Sequence, residues 1–209
     1  MIEKIKLISQ SALRIQSNKI IYFDSFKLTS EFQNDADIIF ITHPHYDHFS
    51  KEDILKIKKE TTKIVVPNEL YEEAIYLGFK DVVTVEPNKN YTLEDISFST
   101  VPAYNLNKDF HKKEFNWVGY ILDLNNQKLY IAGDTDNVPE IRNIKCDIAF
   151  VPIGGTYTMT YKEAVELIKE INPGIAIPIH YKTIVGSVDD AYNFKKELDG
   201  IVDVKILMK

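Results

Sequence analysis

The segment THPHYDHFS, residues 42–50, places His43, His45, Asp47 and His48 within six consecutive positions of a chain that has five histidines among 209 residues. Imidazole and carboxylate together are ligands for zinc, iron and manganese, and the carboxylate shifts preference toward the harder ions. In an extended segment, side chains two positions apart point to the same side, so His43 and His45 can grip one metal ion. Asp47 and His48 are adjacent and follow a turn, which directs them elsewhere, toward a second ion. A merely histidine-rich surface loop would lack both the aspartate and the buried strand that leads into this segment.

One such segment cannot close two metal sites, and two other strand ends carry suitable groups. YIAGDTD leaves a strand through a glycine and reaches Asp134, a carboxylate whose two oxygens can bridge a pair of ions. AIPIHY ends a strand on His180, which can complete the second ion. The remaining histidine, His111, lies in the polar loop NLNKDFHKKEFN. It has two readings, a metal ligand delivered by a loop that folds back, or a catalytic general acid poised near neutral pH. Asp136 is expected to cap the helix begun by NVPEI, with orientation of a ligand histidine as the alternative. Gly154 and Gly155 lack the spacing of any phosphate-binding motif and are expected to turn the chain sharply beside the site. Tyr104, Tyr157 and Tyr181 border these loops; packing is expected of each, with donation to a substrate oxyanion as the alternative. Lys108, Lys112, Lys113 and Lys182 flank the same loops and could attract an anionic substrate.

The elements that must position these groups read as strands first, then strands and helices mixed. KIKLIS, ALRIQS and KIIYFDSF alternate apolar and polar residues between short turns, as a β-meander does. ADIIFIT is a continuous apolar run suited to a strand buried on both faces, and it feeds directly into the histidine segment. Ser50 opens S-x-x-D, a helix start, and Thr160 with Glu163 makes a capping box for a helix whose inner face is Ala164, Leu167, Ile168 and Ile171. KIVVP, VVTV, ISFSTVPAY, WVGYILDL, KLYIAGD, CDIAFVPIGG, GIAIPIH and VDVKILM are further strands. NELYEEAIYLGF and DDAYNFKKELDG are helices. The pattern points to an α/β protein, an αββα sandwich of two sheets with helices outside.

Hydrophobic residues are 44% and charged residues 27% of the chain, ordinary for a globular protein, and the length suits one domain spanning 1–209. No apolar run approaches the roughly 20 residues of a membrane span. The N-terminus is broken by charges and does not read as a signal peptide, and Cys146 has no partner for an internal disulfide, so a cytoplasmic location is expected. A formal net charge of −6 disfavours nucleic acid as the main partner and leaves a small-molecule substrate. Nothing in the sequence sets the oligomeric state.

This residue set resembles the metallo-β-lactamase superfamily: H-x-H-x-D-H at His43, His45, Asp47 and His48, a later aspartate at Asp134 and a last histidine at His180. KIIYFDSF resembles an early strand that ends in an aspartate, here Asp24. VPAYN, WVGYILDL, YIAGDTD, PIGGTYTM and PIHY are similar to a branch of small stand-alone hydrolases related to the L-ascorbate 6-phosphate lactonases. The resemblance implies two divalent metal ions, zinc foremost with manganese or iron as alternatives. It also implies hydrolysis of a small ester, lactone or phosphoester by a metal-bridged hydroxide, with Asp47 both ligand and hydrogen-bond partner of the nucleophile. Asp24 would support the ligands from behind. One departure stands out: relatives often carry a third ligand for the first ion where this chain has Asn105, a poor zinc ligand, so either Asn105 or His111 completes that site, with a general acid as the other role for His111. A metal-dependent nuclease or phosphodiesterase is the alternative function, and a non-hydrolytic di-iron protein is a further one.

Overall fold

Alternating apolar residues in the first part of the chain fold as expected into a meander. In a computed structural model describing residues 2–208, β1 (Ile5–Ser9), β2 (Ala12–Gln16) and β3 (Ile20–Phe23) pair antiparallel in succession. The chain divides into two compact units, residues 1–86 and 87–209.

In the first unit the meander is extended by β4 (Ile38–Phe40), β5 (Lys63–Pro67) and β6 (Asp81–Val85), all added in parallel, giving a six-stranded sheet in sequence order. The three residues of β4 are fully apolar and buried because the strand lies inside the sheet between β3 and β5. Helix α1 (Lys51–Ile57) starts where Ser50 predicts: its side chain accepts from the Asp53 amide. The Asp53 carboxylate in turn accepts the amides of Lys27 and Leu28, pinning the preceding loop to the helix. The segment NELYEEAIYLGF yields a 3₁₀ turn, Asn68–Leu70, followed by the short α2 (Tyr71–Tyr76). Ile39 and Ile41 pack with Ile54, Ile57, Ile64, Val66 and Ala74 in this unit's core. Burying each of the larger side chains stabilises the unit by about 1.5–3 kcal/mol.

The second unit holds a seven-stranded mixed sheet in the order β13-β12-β11-β10-β9-β8-β7. β7 (Asn90–Leu93), β8 (Ile96–Pro102), β9 (Val118–Leu124) and β10 (Gln127–Ile131) are antiparallel, while β11 (Ile148–Pro152), β12 (Ile175–Ile179) and β13 (Asp203–Val204) continue in parallel. Helix α3 (Tyr161–Ile171) carries the predicted Thr160–Glu163 capping box and buries Ala164, Leu167, Ile168 and Ile171. Helix α4 (Val188–Glu197) has a second capping box from Ser187 and Asp190. The edge strand β7 was not foreseen, and VDVKILM forms only the two-residue β13. The molecule is thus an α/β protein of two mixed sheets with helices. Among the described residues no helix is long and apolar enough to cross a membrane.

Candidate metal centre

The groups of histidine and aspartate able to hold a metal draw on His43, His45, Asp47, His48, His111, Asp134 and His180. These are the residues singled out from sequence. The first four lie in the first unit and the last three in the second.

In the first unit the loop carrying His43–His48 leaves the C-terminal end of β4 and turns tightly, the amides of His48 and Phe49 both donating to the His45 carbonyl. Asp24, just past β3, organises the loop from behind. It is buried, sits in the left-handed region at φ 45°, and accepts from the Thr42 amide (2.9 Å), the Thr42 hydroxyl (2.9 Å) and His48 Nδ1 (2.8 Å). A carboxylate accepts only, so the proton of His48 is on Nδ1 and Nε2 is the lone-pair nitrogen. The Thr42 hydroxyl spends its hydrogen on Asp24, so its oxygen accepts from His43 Nδ1 at 3.0 Å, and His43 likewise presents Nε2 as a lone pair. That Nε2 is 3.1 Å from His45 Nδ1, with the two rings nearly perpendicular. Zn–N bonds of about 2.0–2.1 Å in tetrahedral array put two nitrogens about 3.3 Å apart, so the pair already has the spacing of two ligands of one ion. Asp47 Oδ2 lies 3.6 Å from His48 Nε2 and accepts from Gln10 Nε2 at 3.2 Å. The approach of Gln10, thirty-seven residues away in the chain, carries no signal in the sequence.

In the second unit Asp134 follows β10 through Gly133, whose φ of 66° suits glycine. Asp134 Oδ2 is 3.0 Å from His180 Nε2 and 3.4 Å from His111 Nε2. One carboxylate therefore stands between two imidazoles, as a bridging ligand must. His180 ends β12 at φ 55°, a costly conformation for a non-glycine residue and one that collects at functional sites. Gly154 lies against this turn: a Cβ there would be 2.4 Å from the His180 carbonyl oxygen, so its role is a close approach, while the sharp turn expected of the glycine pair falls to Gly155 at φ 84°.

His111 is carried by the loop after β8, which folds back so that the Asn105 amide donates to the His111 carbonyl at 2.7 Å. The Asn105 side-chain NH₂ faces two acceptors, Asp136 Oδ1 and the Tyr157 carbonyl. Its Oδ1 must therefore face His111, and it accepts from both the His111 amide (3.1 Å) and Nδ1 (3.0 Å). His111 thus also keeps its proton on Nδ1. Its Nε2 lone pair faces Asp134 Oδ2 at 3.4 Å, two acceptors turned toward each other as ligands of a shared cation would be. The set therefore fits a cation: His43, His48 and His111 present Nε2, His45 presents Nδ1, carboxylates lie beside them in each unit, and the set holds no sulfur.

The flanking residues are largely committed elsewhere. Asp136 does not cap the 3₁₀ turn Pro139–Ile141, whose N-cap Val138 makes no side-chain bond; it accepts instead from Asn105, the Leu106 amide and Lys108. The Tyr104 hydroxyl is bonded to Glu140, and burial followed by that bond raises its pKa. Lys113 pairs with Glu140 at 2.6 Å, which holds the Glu140 carboxyl below its usual range. Tyr181 donates to the Met208 carbonyl, and burial pushes its hydroxyl up to about 12. Packing is thus the role of Tyr104 and Tyr181, while Tyr157 meets Phe110 edge-on.

The chain is similar to known proteins along most of its length. The family described as "Beta-lactamase superfamily domain" matches residues 4–180. A UPF0173 metal-dependent hydrolase of Pyrococcus abyssi is 32% identical over 221 residues, covering 98% of this chain and 96% of that protein. One from Thermococcus onnurineus is 30% identical over 218 residues with the same coverage. A crystal structure from Parabacteroides distasonis, of a protein assigned to the metal-dependent hydrolases, superposes with a TM-score of 0.84 at 30% identity over 98% of this chain and 93% of that one. The fold alone is shared with Igni18, a metallo hydrolase of Ignicoccus hospitalis, at TM-score 0.80 and 23% identity, covering 97% of this chain and 93% of that one.

Proposed function

Because the chain belongs to the Beta-lactamase superfamily domain family, and the match runs through both units, we propose that residues 1–209 form one metal-dependent hydrolase domain. Its candidate ligands for two divalent ions are His43, His45, Asp47 and His48 in the first unit and His111, Asp134 and His180 in the second. One observation carries this reading most: in His43, His48 and His111 the Nδ1 proton is engaged by an acceptor, which presents Nε2 as the donor nitrogen a metal takes. The nitrogen and oxygen donor set suits zinc first, and manganese or iron next.

When bound, such ions supply an acidified water and a Lewis-acid grip on the carbonyl or phosphoryl oxygen under attack. The residues of the chain do the rest. Asp47, steadied by Gln10, accepts a hydrogen bond from the attacking water. Asp24 and Asn105 hold the proton of their histidines away from the donor nitrogen. His111, fixed at both Nδ1 and the Asp134 side, is a ligand and not a mobile general acid. The substrate is a small ester, lactone or phosphoester, and a cytoplasmic location accords with the lone Cys146.

A panel of lactones, p-nitrophenyl esters, thioesters and phosphodiesters, run beside RNA oligonucleotides at low salt, tests the class. Chelator-sensitive turnover of a small substrate supports the proposal. Turnover confined to RNA assigns the nuclease activity instead, and an iron-rich protein inert to the whole panel assigns the non-hydrolytic one.

A further inference from the structure

We propose that Asn105 is a positioning residue that sets the ring orientation and tautomer of His111, with Asp136 and Lys108 as its support. The proposal rests on His111 being a metal ligand. Apolar burial does not hold the loop between them: Leu106 is 57% exposed and Phe110 46%. Polar bonds hold it. Asn105 exchanges bonds with both the amide and the carbonyl of His111, closing the loop at its neck. These two bonds alone would fix the backbone.

The third bond, from His111 Nδ1 to Asn105 Oδ1 at 3.0 Å, holds the ring and satisfies its buried N–H. Its direction is enforced further back. Asp136 Oδ1 takes the Asn105 NH₂ at 3.2 Å and Lys108 Nζ at 2.5 Å, and Oδ2 takes the Leu106 amide at 2.9 Å. An acceptor-only carboxylate on one side of the amide leaves only the amide oxygen for the imidazole, so Nδ1 carries the proton and Nε2 turns toward Asp134. The lysine neutralises the buried carboxylate that enforces this order.

The test pairs histidine ¹⁵N NMR of the metal-free protein, which reports the tautomer, with competition between the protein and a chromophoric chelator for zinc. Asn105→Ala is expected to abolish the His111 preference for Nδ1–H and to weaken binding of one of the two zinc ions by about 10- to 100-fold. Asn105→Asp keeps an acceptor at His111 Nδ1, although its second oxygen then faces Asp136 and the Tyr157 carbonyl, and is expected to keep the Nδ1–H tautomer. His111→Ala separates the two levels of the argument. Wild-type zinc affinity in His111→Ala removes His111 as a ligand. Lost affinity in His111→Ala, with an intact Nδ1–H and wild-type affinity in Asn105→Ala, overturns the role of Asn105 alone. Should Asn105→Ala fail to fold, a folded Asn105→Asp variant without the Nδ1–H tautomer overturns it equally.

Discussion

Replacing Asp24 by asparagine changes one oxygen to NH₂ without changing shape, and so isolates the hydrogen-bond logic of the first unit. Asp24 accepts three bonds at 2.8–2.9 Å and has no donor of its own. In one orientation the new NH₂ faces the Thr42 amide, donor against donor. In the other it faces the Thr42 hydroxyl and His48 Nδ1. The second arrangement can be satisfied only if the His48 proton moves to Nε2, where a metal would bind. Binding zinc then forces the proton back to Nδ1 and leaves a buried donor pair unmatched, a cost of about 1–3 kcal/mol. The zinc affinity of one ion is therefore expected to fall about 10- to 100-fold. The metal-free protein, having relaxed its network, should melt close to wild type. Chelator competition and a thermal melt of the apo-protein measure the two quantities. Unchanged zinc affinity, with His48 still protonated on Nδ1, would refute the reasoning.

Other perturbations probe the second unit. Asp134→Ala removes the oxygen that lies 3.0 Å from His180 and 3.4 Å from His111, and should lower bound metal by more than one equivalent per chain. A loss of one equivalent or less means that Asp134 does not bridge. Gly154→Ala would set a Cβ 2.4 Å from the His180 carbonyl oxygen. It should cost about 1–3 kcal/mol of stability in a denaturant titration and weaken metal binding with it, and an unchanged midpoint contradicts the close approach. Tyr130 has a fully buried hydroxyl with no hydrogen-bond partner among the described residues, and burial raises its pKa. Tyr130→Phe should therefore hold or raise stability, by up to about 1 kcal/mol; a clear loss would reveal a partner.

What could be read from the sequence was what local chemistry writes into it. His43 to His48 announce themselves by spacing, and the strand before them by its apolar run. Ser50 and Thr160 announce helix starts by the capping residues that follow. The edge strand β7 escaped because NYTL sits half-exposed and owes its form to pairing with β8. VDVKILM yields a shorter strand than its pattern suggests because only Asp203 and Val204 pair in register with β12, Lys205 adding a single amide bond to Ala176. Asp136 was expected to cap a helix, the usual role of an aspartate before such a segment. Its partners Asn105 and Lys108 lie about thirty residues back, and no local pattern signals them. The approach of Gln10 to Asp47 is hidden for the same reason. Ligands were legible, whereas the groups that fix their protons became visible only in the folded chain.

Hydrolysis dependent on two divalent ions can be followed by titrating zinc into chelator-stripped protein. Bound equivalents are followed by elemental analysis while turnover of the best small substrate from the panel is measured at each step. No turnover is expected without metal, with saturation at two equivalents per chain and activity restored by the metal alone. Full turnover in protein stripped of metal, or saturation with no turnover restored, would contradict it.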